Sequence, residues 1–193
     1  TKLDPKSEGT WFNKGLEYAN LENYKQSIAC YDKATEINPK DENAWHNKGQ
    51  AYYNLKNKQQ AIACYDKATE IDPKYENAWF GKGFVHFDLE NYKQSIACYD
   101  KATKINPKYS EAHNNMGNIL FLTKKYNDAL ECVNKAIKFD KNNLNAYETK
   151  CSILYALKKY SQALAAGEKS VKMGSKDKET LDCIKKIKKI LKK

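Results

Sequence analysis

The residues with the most obvious capacity for chemistry in this chain of 193 residues are its six cysteines. Four of them recur at a constant step of 34 residues: Cys30, Cys64, Cys98 and Cys132. Equivalent residues in neighbouring helical units lie roughly 10 Å apart, whereas a disulfide requires Cα atoms within about 7 Å. No C-x-x-C or H-x-H spacing for zinc occurs, and the three histidines fall at different positions of the step. We therefore predict small buried thiols, no metal site and a reducing compartment.

A second candidate for chemistry is a row of lysines at the same step, Lys14, Lys48 and Lys82, which Lys150 rejoins later in the chain. Such a row could form an active site or bind phosphate. The simpler interpretation is that the alkyl stems cover apolar surface while the amines reach water. The sequence also lacks a nucleophile elbow, a phosphate-binding loop and a paired-carboxylate motif. We predict no catalytic residues, no cofactor and no enzymatic activity.

The charge of the chain is strongly positive and comes from one residue type. All 34 basic residues are lysine, and with 24 acidic residues the formal net charge is +10. Arginine supplies the planar fork that reads phosphate and guanine, so its absence disfavours a sequence-specific reader of nucleic acid. The excess of lysine and asparagine also fits codon bias in an AT-rich genome, in which case part of the charge has no function.

The composition favours a folded chain without membrane spans. Hydrophobic residues make up 41% of it, while glycine and proline number only 8 and 4, which disfavours a loop-rich β architecture. No apolar run approaches the ~20 residues of a membrane-spanning helix, and no secretory segment is visible. We expect a cytoplasmic protein, or one delivered into a host cell if its source is a host-associated microbe.

The elements that position these side chains are set by an internal repeat of 34 residues. Residues 21–40 recur as residues 89–108 with one difference, Glu36 against Lys104. Four further sets keep the same step: Pro5, Pro39, Pro73 and Pro107; Trp11, Trp45 and Trp79; Tyr31, Tyr65 and Tyr99; Ala34, Ala68 and Ala102. This agreement indicates duplication of one unit.

Each unit predicts two amphipathic helices of about 12 to 14 residues. In the second unit, Trp45, Gly49 and Tyr52 share one face of the first helix, and Ala61 and Tyr65 share one face of the second. In the first three units an asparagine occupies the turn between the helices, and a proline follows the second helix and ends it. One such pair cannot bury its apolar face alone, so neighbouring pairs must stack.

This pattern resembles the tetratricopeptide repeat (TPR) family, whose unit reads W-x2-L-G-x2-Y, then A-x3-F, then A and P. The first unit matches those positions with Trp11, Gly15, Tyr18, Ser27, Tyr31, Ala34 and Pro39. Lys14 replaces the leucine, and His113 and Tyr147 replace the tryptophan in the fourth and fifth units. Over residues 8–177 the resemblance implies an all-α fold, a right-handed superhelical solenoid of antiparallel helix pairs. It would have about five repeats plus a C-terminal capping helix.

The repeat register also predicts the domain boundaries. The five repeats are residues 8–41, 42–75, 76–109, 110–143 and 144–177. Residues 1–7 resemble the tail of a preceding repeat, because Leu3 to Lys6 match residues 71–74. Residues 178–193 predict a lysine-rich amphipathic capping helix, with a polar outer face of the kind that a solenoid end needs. Its predicted inward side chains are Leu181, Ile184, Ile187 and Leu191.

In TPR proteins the first helix of each pair lines a concave groove where partners usually bind, and the resemblance implies such a groove here. Its predicted lining is mostly asparagine and aromatic: Phe12, Asn13, Asn20, His46, Asn47, Gln50, Tyr53, Asn54, Phe80, Phe84, Phe87, Asn114, Asn115, Asn118 and Phe121. The asparagine column resembles the ladder of the O-GlcNAc transferase superhelix, where amides meet the backbone of an extended peptide, although Gly81 interrupts it. Alternatively, asparagine is common in this chain and caps local backbone.

The function implied by the resemblance is a scaffold that binds an extended peptide or helix of a partner protein. A carboxylate clamp for Hsp70 or Hsp90 C-terminal peptides is not expected, because only Asn47 fits the clamp positions. The rival hypothesis is electrostatic binding of nucleic acid or an anionic membrane by the last helix. From Lys176 onward, eight lysines and three acidic residues give a net charge of +5. The alternative for that helix is a cap with a solvated face.

Overall fold

The computed structural model describes residues 7–192, so the predicted tail of a preceding repeat at Leu3 to Lys6 lies outside the described residues. Eleven α-helices and no strand occur within that range. In chain order they are α1 Glu8–Asn20, α2 Tyr24–Ile37, α3 Glu42–Asn54, α4 Lys58–Ile71, α5 Glu76–Asp88, α6 Tyr92–Ile105, α7 Ser110–Leu122, α8 Tyr126–Phe139, α9 Leu144–Ala156, α10 Tyr160–Lys172 and α11 Lys178–Leu191.

The helices form two compact units: unit 1 extends to Ile105 and contains α1–α6, and unit 2 begins at Asn106 and contains α7–α11. In unit 1, α1 pairs with α2, α3 with α4 and α5 with α6, and α2 and α4 each contact the following pair. In unit 2, α7 pairs with α8 and α9 with α10, and α11 packs on both α9 and α10. The predicted all-α fold of antiparallel helix pairs, with a further helix at the C-terminal end, is confirmed.

The turn within each helix pair uses the left-handed backbone region. One residue per pair has a φ between 57° and 62°: Glu22, Lys56, Glu90, Lys124 and Lys158. After Lys56, the backbone N–H of Asn57 donates to the carbonyl of Tyr52 at 2.9 Å, the pattern that closes a helix C-terminus. The Asn57 side chain then accepts from the backbone N–H of Gln60 and caps α4. The asparagine that the sequence places in this turn therefore begins the second helix.

A glycine facing an aromatic ring allows the close approach of the helices within a pair of unit 1. A Cβ at Gly15 would lie 2.6 Å from the ring of Tyr31, and one at Gly83 would lie 2.9 Å from the ring of Tyr99. Both rings are buried. The Ser27 hydroxyl secures the first crossing by donating to the carbonyl of Gly15 at 2.8 Å. Any larger residue at these glycines would overpack the crossing.

Ion pairs join successive helix pairs within unit 1. The Nζ of Lys48 lies 2.6 Å from an Oδ1 of Asp32, and the Nζ of Lys82 lies 2.5 Å from an Oδ1 of Asp66. The two lysine side chains are only 12% and 20% exposed. The stems of these two lysines are covered as the sequence predicts, and each amine in addition pairs with a partly exposed aspartate on the preceding helix.

The last helix packs on unit 2 where the small and the large residue of the repeat have exchanged places. Cys151 stands at the position of Gly15, and Gly167 stands at the position of Tyr31. A Cβ at Gly167 would lie 2.9 Å both from Sγ of Cys151 and from Cγ1 of Ile184. Ile184 of α11 thus takes space that an aromatic ring fills in unit 1, and its burial anchors the helix.

The inward face of α11 is shorter than predicted. Ile184 and Ile187 are buried and Leu181 is half-buried, but Leu191 is 48% exposed. Leu191 is the last residue of α11 and lies beside the first turn of α10, at the edge of the packed surface. The prediction that Leu191 faces inward is therefore wrong.

Candidate functional site

Four of the predicted groove residues line one cavity of unit 1. Asn20 ends α1, and Asn47, Gln50 and Asn54 follow one another along α3, so their side chains meet where the two first helices are in contact. The cavity has a volume of about 240 Å³. Its remaining lining residues are Ala19, Tyr24, Tyr31 and Ala51. Four carboxamides around one concavity offer both hydrogen-bond donors and acceptors.

The cavity is polar but uncharged. No acidic or basic side chain lines it. Tyr31 is 1% exposed, and its hydroxyl has no hydrogen-bond partner in the described part of the chain. Burial raises the pKa of Tyr31 to about 12, so the phenol keeps its proton at neutral pH. The lining therefore suits a neutral polar group better than a charged one.

Asn47 makes a local hydrogen bond as well as lining the cavity. Its Nδ2 donates to the carbonyl of Asn43, one turn earlier on α3, at 2.8 Å. This bond is the local backbone interaction that the alternative interpretation of the asparagines expects. It uses one amide hydrogen and leaves the second hydrogen and Oδ1 for another group.

The interruption of the asparagine column at Gly81 has a steric cause. The ring of Tyr65, from α4, lies against α5 at this point, and a Cβ at Gly81 would come within 2.7 Å of it. A side chain would overlap the ring, so glycine is required. The column in unit 1 therefore consists of Asn13, which is exposed, and Asn47, which is half-buried.

A column of three aromatic rings on α1, α3 and α5 packs behind the asparagine column. Each of its three half-buried rings packs on a tyrosine of its own helix pair. The centroid distances are 5.9 Å from Phe12 to Tyr31, 5.5 Å from His46 to Tyr65 and 5.5 Å from Phe80 to Tyr99. Burial lowers the pKa of His46 to about 4, so its ring is neutral at pH 7 and behaves much as the phenylalanines do.

Tyr53 and Phe84 form the apolar part of the face, between α3 and α5. Their rings meet edge to face with centroids 5.4 Å apart, and Phe84 is 37% exposed. The Tyr53 hydroxyl donates to Oδ2 of Asp88 at 2.5 Å, and Lys58 donates to the Asp88 carbonyl at 2.7 Å. Burial, and then Asp88, raises the pKa of Tyr53 to about 12. Since the Tyr53 hydroxyl is engaged, Phe84 is the accessible aromatic contact.

Two further predicted groove residues lie in the last turn of the first helix of their pairs and pack inward. Phe87 of α5 lies 6.1 Å from Tyr92, and Phe121 of α7 lies 5.8 Å from Tyr126, measured between ring centroids. Both phenylalanines are half-buried. These rings join the two helices of a pair at their turn.

The predicted asparagines of unit 2 differ in accessibility. Asn115 and Asn118 are half-buried on α7. Asn114 is only 7% exposed, and its buried Oδ1 has no partner among residues 7–192. Asn114 is therefore largely covered by its neighbours, and its place in a partner-binding groove stays a prediction.

Two features of unit 2 were not predicted from the sequence. Lys150 is half-buried without an ion pair in the described residues, and Sγ of Cys151 lies 3.8 Å from Sγ of Cys183. The sequence signal that could have indicated both features is a departure from the repeat. Asn134 stands where unit 1 has an aspartate, and Cys151 stands where unit 1 has a glycine.

Burial raises the pKa of every thiol in the repeated column, including that of the half-buried Cys132, and so opposes the reactive thiolate form. Cys30, Cys64 and Cys98 are buried free thiols, and burial raises the pKa of both Cys64 and Cys98 to about 11. Across residues 7–192, no group of three or more His, Cys, Asp or Glu side chains could hold a metal ion. In the same range, no helix is long and apolar enough to cross a membrane.

Helix pairs stacked so that their first helices share a polar and aromatic face define a helical-repeat protein of the solenoid class. A tetratricopeptide repeat model matches residues 10–41, 42–75 and 110–143, and a second TPR repeat model matches residues 83–124. Together these matches cover more than half of the chain. The chain therefore belongs to the tetratricopeptide repeat family, as its sequence pattern predicted. Members of this family in general bind protein or peptide partners.

Solved structures share the fold at low sequence identity. PilF of Pseudomonas aeruginosa has a TM-score of 0.88 at 19% identity, covering 96% of this chain and 84% of that one. A crystal structure of MamA has a TM-score of 0.75 at 17% identity, covering 86% and 91%. YrrB, described as a TPR protein with an unusual peptide-binding site, has a TM-score of 0.74 at 18% identity, covering 93% of both chains. A search of curated proteins found no significant match.

Proposed function

We propose that this chain is a protein-interaction scaffold and that unit 1 binds an extended peptide or a helix of a partner protein. The binding face comprises the exposed sides of α1, α3 and α5. The observation that carries the proposal is the cavity of about 240 Å³ lined by Asn20, Asn47, Gln50 and Asn54. A carboxamide can donate to a peptide carbonyl and accept from a peptide N–H, so several of them can hold a backbone without selecting its charge.

The face combines two chemistries in a fixed order. The uncharged cavity lies between α1 and α3, and the exposed edge of Phe84 lies on α5 beside Tyr53. Packed helices are about 8–10 Å apart, and an extended chain advances about 3.3 Å per residue. A partner with a polar residue in the cavity and an apolar residue roughly three positions away would therefore fit this face.

The test is affinity capture from a lysate of the source organism with matched variants. The face variant combines Gln50→Ala, Asn54→Ala and Phe84→Ala, which remove exposed groups. The control combines Gln59→Ala, Gln94→Ala and Phe139→Ala, which remove two exposed amides and a phenylalanine of nearly equal exposure from the second helices of their pairs. Circular dichroism checks that both variants keep their helix content.

We expect a partner that the wild type and the control retain and that the face variant binds at least about tenfold more weakly. The identity of that partner would then be read by mass spectrometry, and its affinity measured with the purified protein. A partner bound equally by all three proteins would contradict the assignment of the face.

The last helix offers a second candidate, electrostatic binding to an anionic surface. Lys185 and Lys188 are paired with acidic residues, at 3.4 Å and 2.8 Å. Lys186, Lys189 and Lys192 are exposed and make no ion pair within residues 7–192. The exposure of Leu191 beside them favours an anionic membrane surface over nucleic acid. Binding of this kind weakens steeply as the salt concentration rises.

A further inference from the structure

The ion pairs that join successive helix pairs of unit 1 have no equivalent at Lys150 of unit 2. In unit 1 the lysine lies within 2.6 Å of an aspartate 16 residues before it: Asp32 for Lys48 and Asp66 for Lys82. Sixteen residues before Lys150 the chain has Asn134. Lys150 accordingly makes no ion pair or hydrogen bond within the range 7–192, and burial without a counter-charge lowers its pKa.

A cavity lies beside this lysine, where smaller side chains replace those of unit 1. Tyr147 stands at the position of the three tryptophans, and Ala166 stands at the position of the four column cysteines. The cavity, between α9 and α10, has a volume of about 320 Å³. Its lining residues are Tyr147, Lys150, Gln162, Ala165 and Ala166. In unit 1 the amine of Lys48 lies 4.5 Å from the centroid of the larger Trp45 ring.

Three side chains that can donate hydrogen bonds line this cavity. They are Lys150, Tyr147 and Gln162, and none of the three makes a hydrogen bond or an ion pair with another described residue. All three can donate hydrogen bonds, and only Lys150 is charged. No acidic side chain lines the cavity. The surface of the cavity is mainly apolar, and the side chains that form it carry one cation and two neutral donors.

We propose that this cavity binds a carboxylate, with Lys150 as its ionic anchor and Tyr147 and Gln162 as additional donors. The bound carboxylate takes the electrostatic part that Asp32 and Asp66 play in unit 1, but it comes from outside the chain. One lysine supplies a single positive charge, which matches a carboxylate better than a doubly charged phosphate. The site is separate from the binding face of unit 1 and does not depend on it.

A carboxylate can come from an acidic side chain of a partner protein or from a small carboxylic acid, and one experiment distinguishes these sources. The ¹⁵N-labelled full chain is titrated with sodium acetate and, separately, with acetyl-Gly-Glu-Gly-amide, against sodium chloride at equal ionic strength. Amide chemical shifts are followed by NMR. We expect saturable shifts around Tyr147 and Gln162, with an apparent Kd in the millimolar range.

Two variants identify the anchor. Lys150→Met removes the charge, and we expect the Kd for acetate to rise about tenfold or more. Asn134→Asp restores the aspartate of unit 1, and we expect its carboxylate to occupy Lys150 and prevent saturable binding. Lys178→Met is the matched control, because it removes an exposed charge of unit 2 outside the cavity and should leave the Kd unchanged.

The possible results separate clearly. Tighter binding of the glutamate peptide than of acetate would assign the site to an acidic segment of a partner, and the reverse order would assign it to a small carboxylic acid. Shifts that never saturate in the wild type, or acetate binding that persists in both Lys150→Met and Asn134→Asp, would overturn the proposal. The face variant of unit 1 should bind acetate like the wild type, so failure of one proposal leaves the other intact.

Discussion

At the scale of single residues, His46 is a titratable side chain in a position built for a phenylalanine. Phe12 and Phe80 hold the equivalent positions on α1 and α5. The His46 ring packs between Tyr65 and Tyr75, with centroids 5.5 Å and 5.3 Å away, and its buried Nδ1 has no partner in the described chain. Burial alone lowers its pKa, because no charged neighbour contributes. The folded state therefore opposes protonation of this ring.

The first prediction concerns the pH dependence of stability. The pKa of His46 falls from the ordinary value of 6.5 to about 4 on folding, so the neutral form stabilises the fold. That contribution is complete above pH 6.5 and is lost as the pH falls toward 4. Between about pH 7.5 and about pH 4.5, we expect the unfolding free energy of the wild type to fall by about 2 kcal/mol more than that of His46→Phe.

Urea unfolding of both proteins at the two pH values measures this difference. Other groups that titrate in this range, such as His86 and Glu8, are present in both proteins and cancel in the comparison. Phenylalanine is the appropriate replacement because the repeat itself carries it on both sides. If the unfolding free energies of the two proteins change with pH in the same way, protonation of His46 does not destabilise the fold.

At the scale of helices, what the sequence predicts well is local to one repeat. Each repeat carries its own apolar faces, and the first three also carry a turn asparagine and a final proline, so helix number and pairing follow from the pattern. Contacts between repeats depend on residues far apart in sequence, such as Lys48 with Asp32 or Tyr65 against Gly81. A repeat pattern shows that two such residues recur, but not that they touch.

For the candidate site, too, the sequence predicts what is local to one helix and not what depends on contacts between helices. Asn20, Asn47, Gln50 and Asn54 were predicted because their columns fall on the first helices, and they do line one cavity. The burial of Asn114 could not be predicted, because it depends on the side chains packed around it in unit 2. The engagement of Tyr53 by Asp88 also required the structure, since the two lie on different helices.

The second prediction concerns the attachment of α11. Cys151 on α9 and Cys183 on α11 have their sulfur atoms 3.8 Å apart, and Cys183 is the more accessible of the two. With oxidised glutathione, the Cys183 thiolate forms a mixed disulfide and releases one glutathione. The Cys151 thiolate then displaces the second glutathione and completes an internal disulfide. Because burial raises the pKa of both thiols, we expect the reaction to be faster at alkaline pH.

Mass spectrometry should detect a loss of about 2 Da and a crosslink between peptides of α9 and α11. Hydrogen exchange in α11 should slow, since the crosslink prevents its separate detachment. Cys183→Ser is the control and should gain no internal crosslink. Oxidation of Cys64 or Cys98 before this pair would contradict the prediction, because both are buried and have no cysteine partner within the described residues.

At the scale of the whole molecule, the positive charge is unevenly distributed. Of the formal net charge of +10, the segment from Lys176 onward carries +5. In unit 1 several lysines are paired with acids, as at Lys33, Lys67 and Lys82. The apolar side of α11 is used for docking through Ile184 and Ile187, so what it presents outward is chiefly lysine. Binding of the wild type to anionic vesicles would therefore not tell a general attraction of the whole chain from a specific contact by α11.

The third prediction separates these two effects by making the same charge reversal at two different places in the chain. One variant reverses two lysines of α11 and the lysine that follows the helix, Lys186→Glu, Lys189→Glu and Lys192→Glu. The other reverses three exposed lysines of unit 1, Lys25→Glu, Lys93→Glu and Lys101→Glu, so both variants lose the same net charge. Pelleting with vesicles of anionic lipid, and of zwitterionic lipid as a control, measures binding.

If α11 is the contact, we expect the wild type and the unit 1 variant to pellet with anionic vesicles at low salt, and the α11 variant to stay in solution. Binding should fall sharply between about 0.01 M and 0.15 M salt, because the screening length shortens from about 30 Å to about 8 Å. Equal loss in both variants would mean that total charge, rather than α11, drives the attraction. If the wild type does not pellet even at low salt, the second candidate function is excluded and α11 is a cap, leaving the face of unit 1 as the proposed partner-binding surface.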